Sequence, residues 1–249
     1  MNNIINSFKI KDSLSDEIWE NADFNDINEI KIKSEVRKHL LEIAELFIES
    51  ANVEPIDVHD IVVVGSICNY NWSKFSDIDL HVVINKSKLG DNQKLVDEFL
   101  KAKKDTFSNV HNIKIKEFDV ELYFQDYQEP LESKGMYSIL YNKWISLPDK
   151  NTKDFDKHSI LRKVKYFYNL FNEIKTLSDN DIKVKKIDIL KNKIKKFRQS
   201  GLEKNGEFGV ENMTFKYLRR IGFIEELNDT KFELLDKKLS LENSPTPVF

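Results

Sequence analysis

The chain has 249 residues, a single cysteine and a formal net charge of −3, with 40% hydrophobic and 33% charged residues. That composition provides for a packed interior beneath a well-solvated surface, and a lone cysteine excludes an intrachain disulfide and fits a reducing cytosol. No apolar run approaches the roughly 18 residues of a membrane-spanning helix, and residues 1–11 lack the apolar stretch of a secretory signal, so a cytoplasmic protein is expected.

Residues 1–30 are polar and acidic and predict a loosely structured arm, with Trp19 and Phe24 as its anchors. From Ser34, a suitable N-cap, the residues Val36, Leu40, Ile43, Phe47 and Ala51 fall on helical spacing. Pro55 and Asp57 mark the connection to an apolar strand, Ile61 to Val64, which breaks into Gly65-Ser66. A segment rich in hydrogen-bonding groups follows, and Cys68 within it reads as a small buried residue. Asp77-Ile78-Asp79 then opens a second apolar strand that runs to Ile84. Residues 92–107 predict a helix carrying Leu95, Val96, Phe99, Leu100 and Ala102. Ile113 and Ile115 begin another strand, after which Phe118, Val120, Leu122 and Phe124 alternate with Asp119, Glu121 and Tyr123. The apolar phase shifts from odd to even positions between them, which requires a turn or bulge around Lys116 and Glu117.

Glu129-Pro130 closes this region, so the predicted organisation is an arm at 1–30, a core at 31–128 and a helical domain at 129–249. Tyr137, Tyr141 and Trp144 stand at spacings of four and three. They offer either a ring to stack on a base or a seam between two domains. Residues 157–177 predict a helix with Ile160, Val164, Phe167, Phe171 and Ile174 inward, and Val184, Ile187, Leu190, Ile194 and Phe197 repeat the pattern on a second. Gly201, Gly206 and Gly209 predict a loop before a third helix at 210–227, whose polar side carries Lys216, Arg219 and Arg220. Residues 150–200 hold 15 Lys or Arg against 6 Asp or Glu, a local charge of +9 that leaves −12 for the remainder. Such a stretch suits a polyanion such as RNA or a triphosphate tail, and equally a helix pair with solvated lysine faces.

The chemistry concentrates at the two central strands. Alternate strand residues share a face, so Asp77 and Asp79 project together while Ile78, Leu80 and Val82 enter the core. Two crowded carboxylates repel unless neutralised, and oxygen ligands of this kind suit a hard cation, Mg²⁺ or Mn²⁺, that completes its shell with substrate phosphates. Gly65 allows backbone N–H groups to approach a phosphate, and the Ser66 hydroxyl adds a donor. His81 shares the face of the two aspartates, either lining the site or simply satisfied within the strand.

Gly65-Ser66, a gap of ten residues and Asp77-x-Asp79 in an apolar strand resemble the signature of the polymerase-β-like nucleotidyltransferase superfamily. More narrowly, segments 36–44, 65–72, 76–81, 120–126, 135–138 and 211–220 resemble putative nucleotidyltransferases of phages and prophages, which would place the protein in a host cytoplasm. The resemblance implies an α+β fold: a small mixed sheet covered by helices, then an α-helical C-terminal region. It also implies a third carboxylate from a later strand, for which Glu121 is preferred and Asp119 is the fallback. Asn69, Ser73 and Lys74, in the segment the superfamily folds over the phosphates, become candidate substrate contacts. The implied reaction transfers an NMP from an NTP to an acceptor hydroxyl; the resemblance implies no particular acceptor, and the +9 stretch mildly favours an RNA 3′ end. An oligonucleotide synthase acting on free NTPs and a non-catalytic binding protein of the same fold are the alternatives.

Overall fold

Helix α1 (Ser34–Ala51) forms because its apolar residues recur at three- and four-residue spacing, burying Val36, Leu40, Ile43, Ala44, Phe47, Ile48 and Ala51 on one side. Its N-cap is Lys33 rather than Ser34, with no side-chain cap, and Asn52 ends it in the left-handed conformation that an asparagine tolerates (φ 54). The computed structural model describes residues 5, 8–23, 26–54, 57–130, 133–150, 156–206 and 208–240. Phe24 lies outside them. The chain divides into two units, Ser7–Thr152 and Lys153–Phe249, the latter joined by Met1–Asn6.

The first unit is built on a six-stranded mixed sheet of order β5-β6-β4-β3-β7-β8. Its strands are β3 (Val58–Val64), β4 (Ile78–Ile84), β5 (Lys114–Ile115), β6 (Phe118–Asp126), β7 (Met136–Ser138) and β8 (Lys143–Ser146), and a separate pair is formed by β1 (Trp19–Glu20) and β2 (Lys31–Ile32). Strands β3 and β4 pair antiparallel, while β4 and β6 pair parallel. A parallel pair needs a crossover, and helix α2 (Gln93–Val110) supplies it. β5 and β6 form a hairpin in which Lys114 faces Asp119 and Ile115 faces Phe118, so the expected turn falls on Lys116 and Glu117, with Lys116 left-handed (φ 54). β4 alternates buried Ile78, Leu80, Val82 and Ile84 with partly exposed Asp79, His81 and Val83. Helix α1 packs on the apolar side, where Phe47 stacks on Phe124 at 4.2 Å and meets Phe107 of α2 edge-on.

The sheet continues past residue 128, because β7 pairs with β3 and β8 with β7. The described residues between 8 and 30 pack more closely than a loose arm would. Leu14, Ile18, Trp19 and Ile30 are fully buried in the core of this unit. Trp19 stacks on Trp144 at 4.7 Å, meets Tyr137 edge-on, and donates its indole N–H to the Ile67 carbonyl at 2.9 Å. Truncation of a fully buried Trp to Ala costs about 3–5 kcal/mol. Trp19→Ala is therefore expected to lower stability by that amount in urea titration; a loss under about 1 kcal/mol would show the N-terminal segment to be peripheral.

Asp60 in β3 accepts hydrogen bonds from the Ile61 N–H and the Ser138 hydroxyl, both at 2.7 Å, yet burial outweighs them and holds its carboxyl above the ordinary aspartate range. With the folded pKa above the unfolded one, the folded chain binds the extra proton between the two, so this residue destabilises at neutral pH and the penalty vanishes on acidification. Asp60→Asn, whose amide oxygen accepts the same bonds, is expected to raise the thermal midpoint at pH 7 and to lose that advantage below about pH 4. An equal effect at both pH values would show that charge burial is not the cause.

The helical unit comprises α3 (Lys157–Lys175), α4 (Asn180–Asn205), α5 (Val210–Arg220) and α6 (Phe223–Leu239). In α3 the five predicted inward residues, Ile160, Val164, Phe167, Phe171 and Ile174, are all buried. Asp156 and Asp179 cap α3 and α4 by accepting from Ser159 N and Ile182 N. The helix expected at 210–227 is two helices, because Gly222 turns left-handed (φ 72) between them. Gly201 is not in a loop but inside α4, and the break comes at Gly206 and Gly209. Part of the basic stretch is paired locally: Lys175 with Glu226, and the acidic Asp181 and Asp188 with Lys238 and Lys231. Among the described residues no helix is long and apolar enough to cross a membrane.

Candidate functional site

The end of β3 and the start of β4 are neighbours because an antiparallel pair places Val64 opposite Asp79. On the other side of β4 the parallel register sets Asp79 opposite Glu121 and His81 opposite Tyr123. Period-two alternation then brings Asp79 and Glu121 to one face, and Asp77, just before the strand, joins them. One carboxylate oxygen of each of Asp77, Asp79 and Glu121 lies within 4.8 Å of the others, and all three residues are partly buried. At such separations two unit charges repel by about 3 kcal/mol or more at an effective dielectric near 20. The donor set is all carboxylate, without histidine or cysteine, which fits a hard divalent cation such as Mg²⁺ or Mn²⁺ rather than zinc.

Gly65 adopts φ 84, ψ −161, a conformation closed to residues with a side chain. The Asp79 carboxylate lies against its Cα, where a Cβ would collide with Oδ2. Gly65 therefore gives Asp79 its place, in addition to any approach by a phosphate. The Ser66 and Ser76 hydroxyls are 2.8 Å apart, and Ser76 Oγ accepts from the Ser73 N–H at 3.0 Å, so the loop closes directly over the turn.

The other residues singled out in the loop stand differently. Asn69 is 1% exposed. Its amide oxygen accepts from Tyr70 N and Asp149 N, and its amide donates to the Lys134 carbonyl, which ties the loop to two later segments of the chain. Ser73 is 4% exposed, and its hydroxyl accepts from Phe75 N. Lys74 is exposed beside the Phe75 ring, 5.1 Å from its centre. The N-terminal segment holds the same loop through Lys11 N to Tyr70 O and Trp72 Nε1 to Ser13 O. Cys68 is fully buried, bonds the Val63 carbonyl, and has its thiol pKa raised by burial, so it is no nucleophile. Asp119 pairs with Lys114 across the β5–β6 hairpin at 3.1 Å, is largely exposed, and stands apart from the carboxylate cluster. Tyr137 and Trp144 belong to the core around Trp19, leaving Tyr141 as the exposed ring of that trio. Lys216, Arg219 and Arg220 lie on α5 in the helical unit.

Two residues complete the acidic face. Tyr123 donates its hydroxyl to Glu121 Oε2 at 2.5 Å, and burial followed by the adjacent carboxylate pushes its pKa above the ordinary phenol range, so it remains a donor. Lys104 reaches from α2 to lie 3.4 Å from the centre of the Tyr123 ring; burial lowers its pKa against the pull of Glu121 and Asp79. Lys104 and Glu121 also line an open pocket of about 300 Å³ with Ser108, His111 and Asn112. His81 stacks on Tyr123, its Nδ1 has no hydrogen-bond partner among the described residues, and burial holds its pKa down at about 4, so the ring is neutral. Tyr123 could have been found from its parity with Glu121. Nothing local marks Lys104.

No protein-family model matches the chain, and no curated protein matches it. One solved structure that resembles it is a STING-associated CdnE c-di-GMP synthase from Capnocytophaga granulosa, at 13% identity over 83% of this chain and 84% of that chain, with a TM-score of 0.23.

Proposed function

We propose that the chain is a divalent-cation-dependent nucleotidyltransferase, moving an NMP from an NTP to an acceptor hydroxyl with release of pyrophosphate. The observation that carries this reading is the convergence of Asp77, Asp79 and Glu121 within 4.8 Å beside the Gly65-Ser66 turn. Asp77 and Asp79 would hold Mg²⁺ or Mn²⁺, with Glu121 completing the set. A cation bound there supplies charge neutralisation for the triphosphate and the leaving pyrophosphate. Glu121 stands at the far strand, where its carboxylate can also take the acceptor's hydroxyl proton. Gly65 and Ser66, at the end of β3, would meet the β and γ phosphates through backbone N–H groups and the Ser66 hydroxyl.

An RNA 3′ end is the favoured acceptor because residues 150–200 carry +9, although Lys175 is drawn to Glu226 and Lys193 to the Tyr166 hydroxyl. A cytosolic setting fits the single, buried thiol. The wider likeness to phage and prophage enzymes rests on the sequence segments alone.

The test offers labelled ATP, CTP, GTP and UTP with Mg²⁺ or Mn²⁺, with and without a total RNA pool. Labelled RNA whose yield falls steeply with salt supports the RNA acceptor. Products from NTPs alone would replace that acceptor by a second nucleotide. No cation-dependent NTP consumption under either condition would leave a non-catalytic binding protein.

A further inference from the structure

We propose that Tyr123 is a positioning residue for Glu121, holding the third carboxylate in the orientation that serves the cation; this rests on the nucleotidyltransferase reading of the acidic cluster. Residues two apart on a strand share a face but do not ordinarily touch through their side-chain ends. Here the phenol reaches back along β6 and donates to Glu121 Oε2 at 2.5 Å, a short, charge-assisted bond. That bond uses one of the carboxylate's lone pairs and leaves the others to a cation.

The ring is itself held in place. His81, its register partner on β4, stacks against it with centroids 4.8 Å apart and planes 21° from parallel. Lys104 brings its ammonium to 3.4 Å from the ring centre. A phenol clamped in this way has one orientation, and through its hydroxyl so does the Glu121 carboxylate. Hydrogen-bond partners of metal-ligating carboxylates commonly change metal affinity or activity by about 10- to 100-fold when removed.

Mn²⁺ binding to the full chain, read from the loss of the free Mn²⁺ electron paramagnetic resonance signal, tests this without reference to turnover. Wild type should bind Mn²⁺ and Asp77→Asn should not; if the two behave alike, the acidic cluster is not a cation site, and both this inference and the reading beneath it fall. Given that difference, Tyr123→Phe, which keeps the ring and its stacking, should bind Mn²⁺ at least about 10-fold more weakly. Affinity within twofold of wild type would overturn the proposal alone. Because Tyr123 is argued to act through Glu121, Tyr123→Phe should add little in a Glu121→Gln background, whereas a merely structural residue would cost the same factor in both. An equal loss in the two backgrounds overturns the positioning role.

Discussion

Asp77→Asn is expected to abolish nucleotide turnover while leaving the fold intact. The substitution keeps the side chain's size and removes one of three carboxylates whose oxygens lie within 4.8 Å of each other. Groups that stabilise developing charge in a reaction are each worth roughly 10²–10³ in rate, and a residue that also holds the cation should lie at or beyond the upper end. A second readout separates loss of the site from loss of the protein. A ligand that binds only the folded state stabilises it by about 2.7 kcal/mol at a hundredfold excess over its dissociation constant, and so raises the unfolding midpoint. Wild type should therefore melt higher with Mg²⁺ or Mn²⁺ than in EDTA, and Asp77→Asn should melt at one temperature in both. Turnover of labelled NTP at the wild-type rate in this variant would refute the assignment.

Gly65→Ala is the second large effect, and it acts through both backbone and carboxylate. At φ 84, ψ −161 an L-residue is strained, at a cost of about 1–3 kcal/mol. The added methyl would also occupy the space now filled by Asp79 Oδ2, so the chain must move either the turn or the ligand. Lower stability, intact far-UV circular dichroism and lost Mn²⁺ binding are expected together. Unchanged Mn²⁺ affinity in a folded Gly65→Ala would show that Asp79 does not depend on the turn.

Local pattern carried much of this protein. The spacing of Val36 through Ala51 and of Ile160 through Ile174 specified α1 and α3, because a helix buries one stripe whatever lies against it. The phase shift between Ile115 and Phe118 likewise located the hairpin turn at Lys116. Long-range pairing was less visible. Tyr137 sits in β7, which pairs with β3 about 75 residues away in sequence, and Trp144 in β8 on the far side of β7, partnerships that their local spacing does not encode. Asn69 is a candidate substrate contact through the superfamily resemblance, whereas its bonds to Lys134 and Asp149 join segments 65 and 80 residues away that no local pattern marks. The apolar repeat from Met213 to Ile224 runs across Gly222, so periodicity alone does not mark the split there.

At the acidic face the division is sharper. Alternation alone determined that Asp77 and Asp79 share a side of their strand, and that Asp119, Glu121 and Tyr123 share a side of theirs. It could not choose between Asp119 and Glu121, since residues two apart have the same parity. The parallel register of β4 and β6 made that choice, setting Glu121 beside Asp79 and leaving Asp119 at the hairpin with Lys114. Register arises from the α2 crossover and the packing of Leu80 and Leu122 into one core, interactions between segments some 40 residues apart, so tertiary structure alone decided it.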